Sequence, residues 1–199
     1  MKIFLFTAII VGLILIGIQI YVTMATLNSE EQKYSVIKKY DDFEVRFYPE
    51  AILASVTMGA NTYKEASGSG FRKLAGYIFG GNQTSKQISM TSPVHMEINQ
   101  NKSTMSFVMP SQLNENTLPL PNDPNIIIHK STPEFVAALR FDGFASDHKI
   151  EEYTEKLKNI LITNKIKAVG KYKFLGYNPP YQLINRRNEI IVAIDWEKV

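Results

Sequence analysis

Phe71-Arg-Lys-Leu74-Ala-Gly-Tyr77-Ile78-Phe-Gly80-Gly81-Asn82-Gln-Thr-Ser-Lys-Gln-Ile88-Ser-Met90-Thr-Ser-Pro93-Val94 carries two periodicities in succession. Phe71, Leu74 and Ile78 recur at helical spacing, and Gly80-Gly81-Asn82 supplies residues that tolerate the left-handed backbone just past a helix end. From Ile88 through Met90 to Val94 the apolar residues alternate instead. The stretch predicts a helix that turns sharply into a strand.

Upstream, Phe43, Val45 and Phe47 alternate with Glu44, Arg46 and Tyr48, and Ile52, Ala54, Val56 and Met58 with Leu53, Ser55 and Thr57, while Pro49 between the two runs lacks a ladder donor and marks an edge, bend or bulge. Thr62-Tyr63-Lys64-Glu65 reads as a capping box, so a helix is expected over about 63–79. Strands at 86–98 and 103–109 complete a β-α-β-β unit. Residues 110–125 hold Pro110, Pro119, Pro121 and Pro124 among Asn, Ser and Gln, the composition of a linker. Beyond it the pattern restarts with Ile126 to His129, then Phe135, Ala137, Leu139 and Phe141 alternating after Pro133-Glu134. A helix follows from Ser146 or Asp147, with Ile150, Tyr153, Leu157, Ile160 and Leu161 on one face. Strands at 171–176 and 181–196 close this half, the latter expected as a hairpin about Asn185 to Asn188. The fold class is α+β: a duplicated β-α-β-β unit forming an antiparallel sheet or distorted barrel with two packed helices, preceded by one N-terminal transmembrane helix. The expected boundaries are 1–27 for that segment, 28–39 for a tether and 40–199 for the domain, with halves 40–109 and 125–196.

Ile3 to Val22 is an apolar run of twenty residues broken only by Thr7, Gly12, Gly17 and Gln19, enough to cross about 30 Å of hydrocarbon as a helix. It is read as a membrane anchor or as a cleaved signal peptide, with Lys2 as charged start and Thr23-Met24-Ala25 as a cleavage site. The apolar core exceeds the usual signal length of about 7 to 15 residues, which favours the anchor. Either reading carries the domain across a membrane, to the non-cytoplasmic side or, after cleavage, to a secreted or periplasmic place. The remainder, with 21 basic and 19 acidic residues, is too weakly charged for a nucleic-acid reader. Zero cysteines exclude disulfides, Cys-ligated zinc and a thiolate haem ligand.

Tyr77-Ile78-Phe-Gly80-Gly-Asn82 followed by Ile88-Ser-Met90-Thr91-Ser-Pro93-Val94 closely resembles the signature of the SOUL/haem-binding protein family. Arg140-Phe-Asp-Gly-Phe144, Gly176-Tyr-Asn-Pro-Pro180 and Asn185-Arg-Arg-Asn-Glu189 resemble the family's remaining motifs, so the likeness runs from about Tyr40 to Trp196. It implies the duplicated fold already read, shared with small-molecule effector-binding domains, and in several members binding of haem or other tetrapyrroles without catalysis.

An iron porphyrin needs an apolar slot, cations for its propionates and often an axial ligand. Some family members place a ligand His directly before the Tyr of the Glu-x-Arg-His-Tyr strand; here Glu44-Val45-Arg46-Phe47-Tyr48 has Phe47 there, and Gln182 stands where a relative can have Lys. Haem therefore remains a candidate cofactor without that ligand, and the expected ligand is haem, another tetrapyrrole or a similar planar amphipath. The candidate binding residues are Phe71, Arg72, Lys73, Tyr77, Met90 and Arg186. Gly68, Gly70 and Gly76 each cost about 1 kcal/mol of helix propensity relative to Ala, so either close packing or room for a flat ligand must favour them. His95 alternates away from Met96 and is expected to be exposed, and no His, Asp or Glu pattern reads as a metal site. No Gly-x-Ser-x-Gly elbow or Cys nucleophile is present, which points to a non-enzymatic binder. Two rivals stay open: a hydrolase on the effector-domain scaffold using a Glu or Tyr such as Tyr77, betrayed by a deep apolar cavity with a buried carboxylate, and an interaction module with a filled groove.

Overall fold

The computed structural model describes residues 2–99 and 102–196. Helix α1 (Lys2–Leu27) leads into β1 (Glu30–Glu31), β2 (Ser35–Lys39), β3 (Glu44–Tyr48) and β4 (Ile52–Met58). Helix α2 (Tyr63–Ile78) precedes β5 (Thr91–Ser92), β6 (Val94–Ile98) and β7 (Ser103–Val108). After the proline-rich stretch come β8 (Ile126–Lys130), β9 (Glu134–Asp142), α3 (Asp147–Thr163), β10 (Lys173–Gly176) and β11 (Arg187–Ala193). Nine strands form one antiparallel sheet in the order β2-β3-β9-β11-β10-β6-β7-β4-β8, curled into a half-barrel. The β1 and β5 segments pair separately and in parallel.

Alternation along the strands decides what each face buries. Ala54, Val56, Met96, Met105, Phe107, Ala137, Leu139, Phe141, Ile190 and Val192 build the main core with the inner faces of α2 and α3. Thr62 caps α2 by accepting from Glu65 N, and Ser146 caps α3 by accepting from Lys149 N, so both helices start where their capping residues place them. Leu157, fully buried, contributes about 2 kcal/mol of apolar transfer by itself. Arg46, Tyr48, Val136, Ala138, Leu175, Glu189 and Ile191 alternate onto the other face, where Tyr48, Val136, Ala138, Leu175, Tyr177 and Ile191 form a smaller cluster.

Several sequence expectations are corrected. Strand 86–98 is broken: Ile88 N is taken by Ile78 O, and Pro93, which has no N–H, separates β5 from β6. The expected hairpin at 181–196 is a loop over 177–186 followed by β11 alone, because Pro179-Pro180 cannot pair and Arg186 Nη1 holds Pro179 O at 2.7 Å and Gln182 O at 2.6 Å. Asn185 does adopt positive φ, 51°. The stretch read as a tether is ordered, Glu30 and Glu31 pairing with Thr91 and Ser92, and Ser35 to Lys39 with β3.

The linker docks on the end of α2 through Gln83 N to Leu120 O at 3.0 Å, Asn122 N to Gly81 O at 3.1 Å and the Tyr77 hydroxyl donating to Pro119 O at 2.9 Å. Tyr77→Phe leaves that buried carbonyl unpaired and is expected to cost about 1 kcal/mol, read as a lower urea midpoint at unchanged slope.

Candidate functional site

Helix α2 turns Ala66, Gly70, Leu74, Tyr77 and Ile78 inward, which leaves Gly68, Arg72, Gly76 and Phe79 along the outward ridge. The three helix glycines divide cleanly. A Cβ at Gly70 would meet Met58 Sδ at 2.7 Å and Met105 Cβ at 3.3 Å, so packing explains its size. A Cβ at Gly68 or Gly76 would meet nothing within 4 Å. Phe71, set edge-on to Phe107 with centroids 5.4 Å apart, and Phe79 are both exposed beside these glycines. Exposed Arg72 lies on the ridge and exposed Lys73 on its flank. The result is a flat, partly aromatic strip with two cations, on a helix whose other side is fixed in the core.

Of the remaining expected site residues, Tyr77 is on the same helix but buried, and burial pushes its phenol up to about 12. Met90 is half-buried against the main core beyond the helix end. Arg186 is elsewhere, inside the 177–186 loop; besides its two carbonyl partners it lies 4.4 Å over the Phe144 ring, and burial lowers its pKa. The structure thus brings Phe71, Arg72 and Lys73 to one surface and keeps Arg186 away from it. Phe47 lies against Phe135, centroids 5.1 Å apart.

Sequence alternation understated the opposite face of the sheet. Glu189, at the end of the Asn185-Arg-Arg-Asn-Glu189 motif, is fully buried. Its carboxylate accepts from Arg46 Nη1 at 2.7 Å and Nη2 at 3.1 Å, from Arg187 Nε at 3.0 Å and from the Tyr177 hydroxyl at 2.8 Å. Burial alone would raise its pKa; the Arg46 hydrogen bonds and charge, with Arg187 and Tyr177, hold it below the usual carboxylate range. Burial against this carboxylate raises the Tyr177 phenol, and burial raises Tyr48 to about 12. Arg187 also reaches Glu31 and the Tyr34 hydroxyl, so the segment after α1 closes over the cluster. The signal was present in the i, i+2 spacing of Arg187 and Glu189, but the partner Arg46 arrives from a strand distant in sequence.

His95 belongs to this face and is not free. It is half-buried, with Nε2 2.7 Å from Gln32 Oε1, and burial together with the Lys173 charge pushes its imidazolium down to about 3. A cavity of about 340 Å³ opens between Glu30–Lys33, Pro49–Ile52 and residues 108–116, edged by Glu50, Glu115 and Lys130; Glu189 does not line it. Among the described residues no cluster of His, Asp and Glu is placed to hold a metal ion.

The SOUL heme-binding protein family model matches residues 29–193. Heme-binding protein 2 of Mus musculus and of Homo sapiens are each 31% identical over 156 residues, covering 74% of this chain and 76% of theirs. Heme-binding protein 1 of Xenopus laevis is 28% identical over 155 residues, 74% of this chain and 81% of that protein. Among solved structures, the EcmrR C-terminal domain superposes with TM-score 0.55 at 12% identity, covering 82% of this chain and 99% of that one. A hydrolase from Listeria innocua reaches TM-score 0.55 at 7% identity, covering 87% and 97%. At such identities the likeness is one of fold.

Proposed function

The chain belongs to the SOUL heme-binding protein family, and on that premise we propose that it is a membrane-anchored, non-enzymatic binding protein for haem, another tetrapyrrole or a similar planar amphipath. The observation that carries this reading is the open space at Gly68 and Gly76: two glycines that weaken a helix by about 1 kcal/mol each have no packing reason to be small. A flat ring laid along the α2 ridge would cover them, contact Phe71 and Phe79, and offer its carboxylates to Arg72 and Lys73. Haem, when bound, supplies the ring, the propionates and an iron. The residues of the strip grip the ring and its charges, and His95, on the opposite face of the sheet and committed to Gln32, is not on the α2 surface. Tyr77, whose hydroxyl donates to Pro119 O, and Glu189, pinned between two guanidinium groups, support binding over hydrolysis.

The strand order supports the duplicated unit. Outward from the β10–β6 junction, β11 and β9 mirror β7 and β4, and each half's remaining strand, β3 or β8, lies on the edge of the other half. Helix α1, whose Phe4–Leu27 stretch has mean hydropathy 2.5, supports anchoring.

The test is an absorbance and fluorescence titration of a chain starting at Asn28, which retains every residue of both apolar clusters. Metal-free protoporphyrin IX is expected to bind within about tenfold of haemin, a gap of roughly 1.4 kcal/mol. Leucines at Gly68 and Gly76 are expected to weaken both ligands more than tenfold (about 1.4 kcal/mol) without unfolding the domain. His95→Ala should leave the haem spectrum unchanged. A sharp, red-shifted Soret band lost in His95→Ala, or unchanged binding by the leucine variants, would overturn the assignment.

A further inference from the structure

The one long polar side chain inside the apolar run of α1 is Gln19. An amide placed among hydrocarbon is costly unless its donor and acceptor are both engaged. Both are: Gln19 Nε2 donates to Tyr181 O at 3.1 Å, and Gln19 Oε1 accepts from Leu183 N at 3.0 Å. A second clasp lies seven residues nearer the domain end, where the Thr26 hydroxyl meets Gln182 Oε1 at 2.9 Å and Gln182 Nε2 turns back to Ile184 O at 2.9 Å. The 177–186 loop is thereby held alongside the last turns of the helix.

What the loop shows outward is apolar. Tyr181, Leu183 and Ile184 are 62%, 60% and 56% exposed, and Phe144 beside Arg186 is 50% exposed. From Tyr177 to Asn185 there is no Asp, Glu, Lys or Arg, and the charge of Arg186 is turned inward onto Pro179 O and Gln182 O. A contiguous exposed apolar group of this kind is the mark of a contact surface. If Ile3 to Val22 fills the bilayer, Gln19 lies three residues, about 5 Å, inside the boundary, and the loop bonded to it lies at the same depth. Four of its carbonyls and one N–H are then engaged by side chains, Tyr181 O and Leu183 N by Gln19, Pro179 O and Gln182 O by Arg186 and Ile184 O by Gln182, in keeping with the need to pair irregular backbone at that depth. Exposed Tyr21 on the helix and Tyr181 on the loop are at the level where aromatic residues favour the membrane interface.

We propose that the loop from Pro179 to Ile184, with Phe144, is a second membrane contact that dips into the lipid interface beside α1 and fixes the orientation of the domain against the bilayer. The proposal rests on the anchored reading of α1, and its test separates the two. The chain has no cysteine, so single cysteines at Leu183, Leu13 and Asn159 can each carry a nitrobenzoxadiazole label in the full chain reconstituted into phosphatidylcholine vesicles. Leu13 reports the middle of α1, and Asn159 an exposed site far along α3. The Leu183 label is expected to emit at shorter wavelength than the Asn159 label and to lose fluorescence to nitroxides near the lipid headgroup more than to deep ones. The Leu13 label should show the reverse depth order. Quenching at Leu13 with none at Leu183 would overturn the loop contact and leave the anchor standing. No quenching at either site would overturn the anchored reading and the loop contact with it. A blue-shifted Leu183 label that no lipid nitroxide quenches would overturn the proposal in favour of a protein contact, such as a second copy of the chain.

Discussion

Glu189→Gln is expected to lower the unfolding free energy by about 3 to 5 kcal/mol, the cost of removing one member of a buried ion pair. The expectation rests on burial: Glu189 is 0% and Arg46 4% exposed, so water cannot replace the lost charge. The amide that remains has one acceptor oxygen for donors that now converge on two, and Arg46 is left in low dielectric with only Glu44, at 2.9 Å, to neutralise it. Arg46→Ala should cost a similar amount, since Glu189 would then keep only the Arg187 charge and the Tyr177 hydroxyl. The double variant Arg46→Met with Glu189→Leu should recover part of the loss, because an apolar pair removes the desolvation penalty along with the attraction. Urea unfolding of the four proteins measures this. A Glu189→Gln variant within 1 kcal/mol of the parent, the size of a surface ion pair (about 0 to 1 kcal/mol), would show that water reaches the cluster.

Acidification should destabilise the domain before any carboxylate titrates, and His95 is the cause. Its folded pKa, about 3, lies below the ordinary value of 6.5, so the unfolded chain takes up a proton that the folded chain refuses. Stability from this group is therefore complete above pH 6.5 and falls as pH drops from there towards 3. At pH 5 the loss is about 2 kcal/mol. Lys173 opposes the imidazolium and Glu189 favours it, but burial is the larger influence. Glu189, whose folded pKa is depressed, keeps its contribution through this window and loses it only below the ordinary carboxylate range, about 4.3. His95→Gln should flatten the profile between pH 6.5 and 5; a slope unchanged by that substitution would assign the acid sensitivity elsewhere.

The elements were legible because each is written in local chemistry. Thr62 and Ser146 cap helices through their own hydroxyls, Gly80 takes positive φ at 109°, and alternation along β4 and β9 separates the main-core face from the opposite face without reference to any partner. Phe71, Arg72 and Lys73 are neighbours on one helix turn, so a surface built from them could be named from spacing alone.

What sequence could not show was pairing across long separations. Arg46 meets Glu189 over 143 positions and Gln19 meets Leu183 over 164, and neither residue type announces its partner, since an arginine or a glutamine is satisfied as readily by water. The same holds for His95, which alternation placed correctly on the face away from Met96 but which only the returning Gln32 turns from an exposed side chain into a half-buried one. Gly68 and Gly76 read identically to Gly70 in sequence; that one fills against Met58 and two face open space follows from where the sheet lies under α2. Local backbone preference and periodicity thus determined the strands, helices and their inward faces. The charges buried behind the sheet, the loop clasped to α1 and the open ridge of α2 were decided by tertiary structure, because each depends on which distant surface excludes water from it.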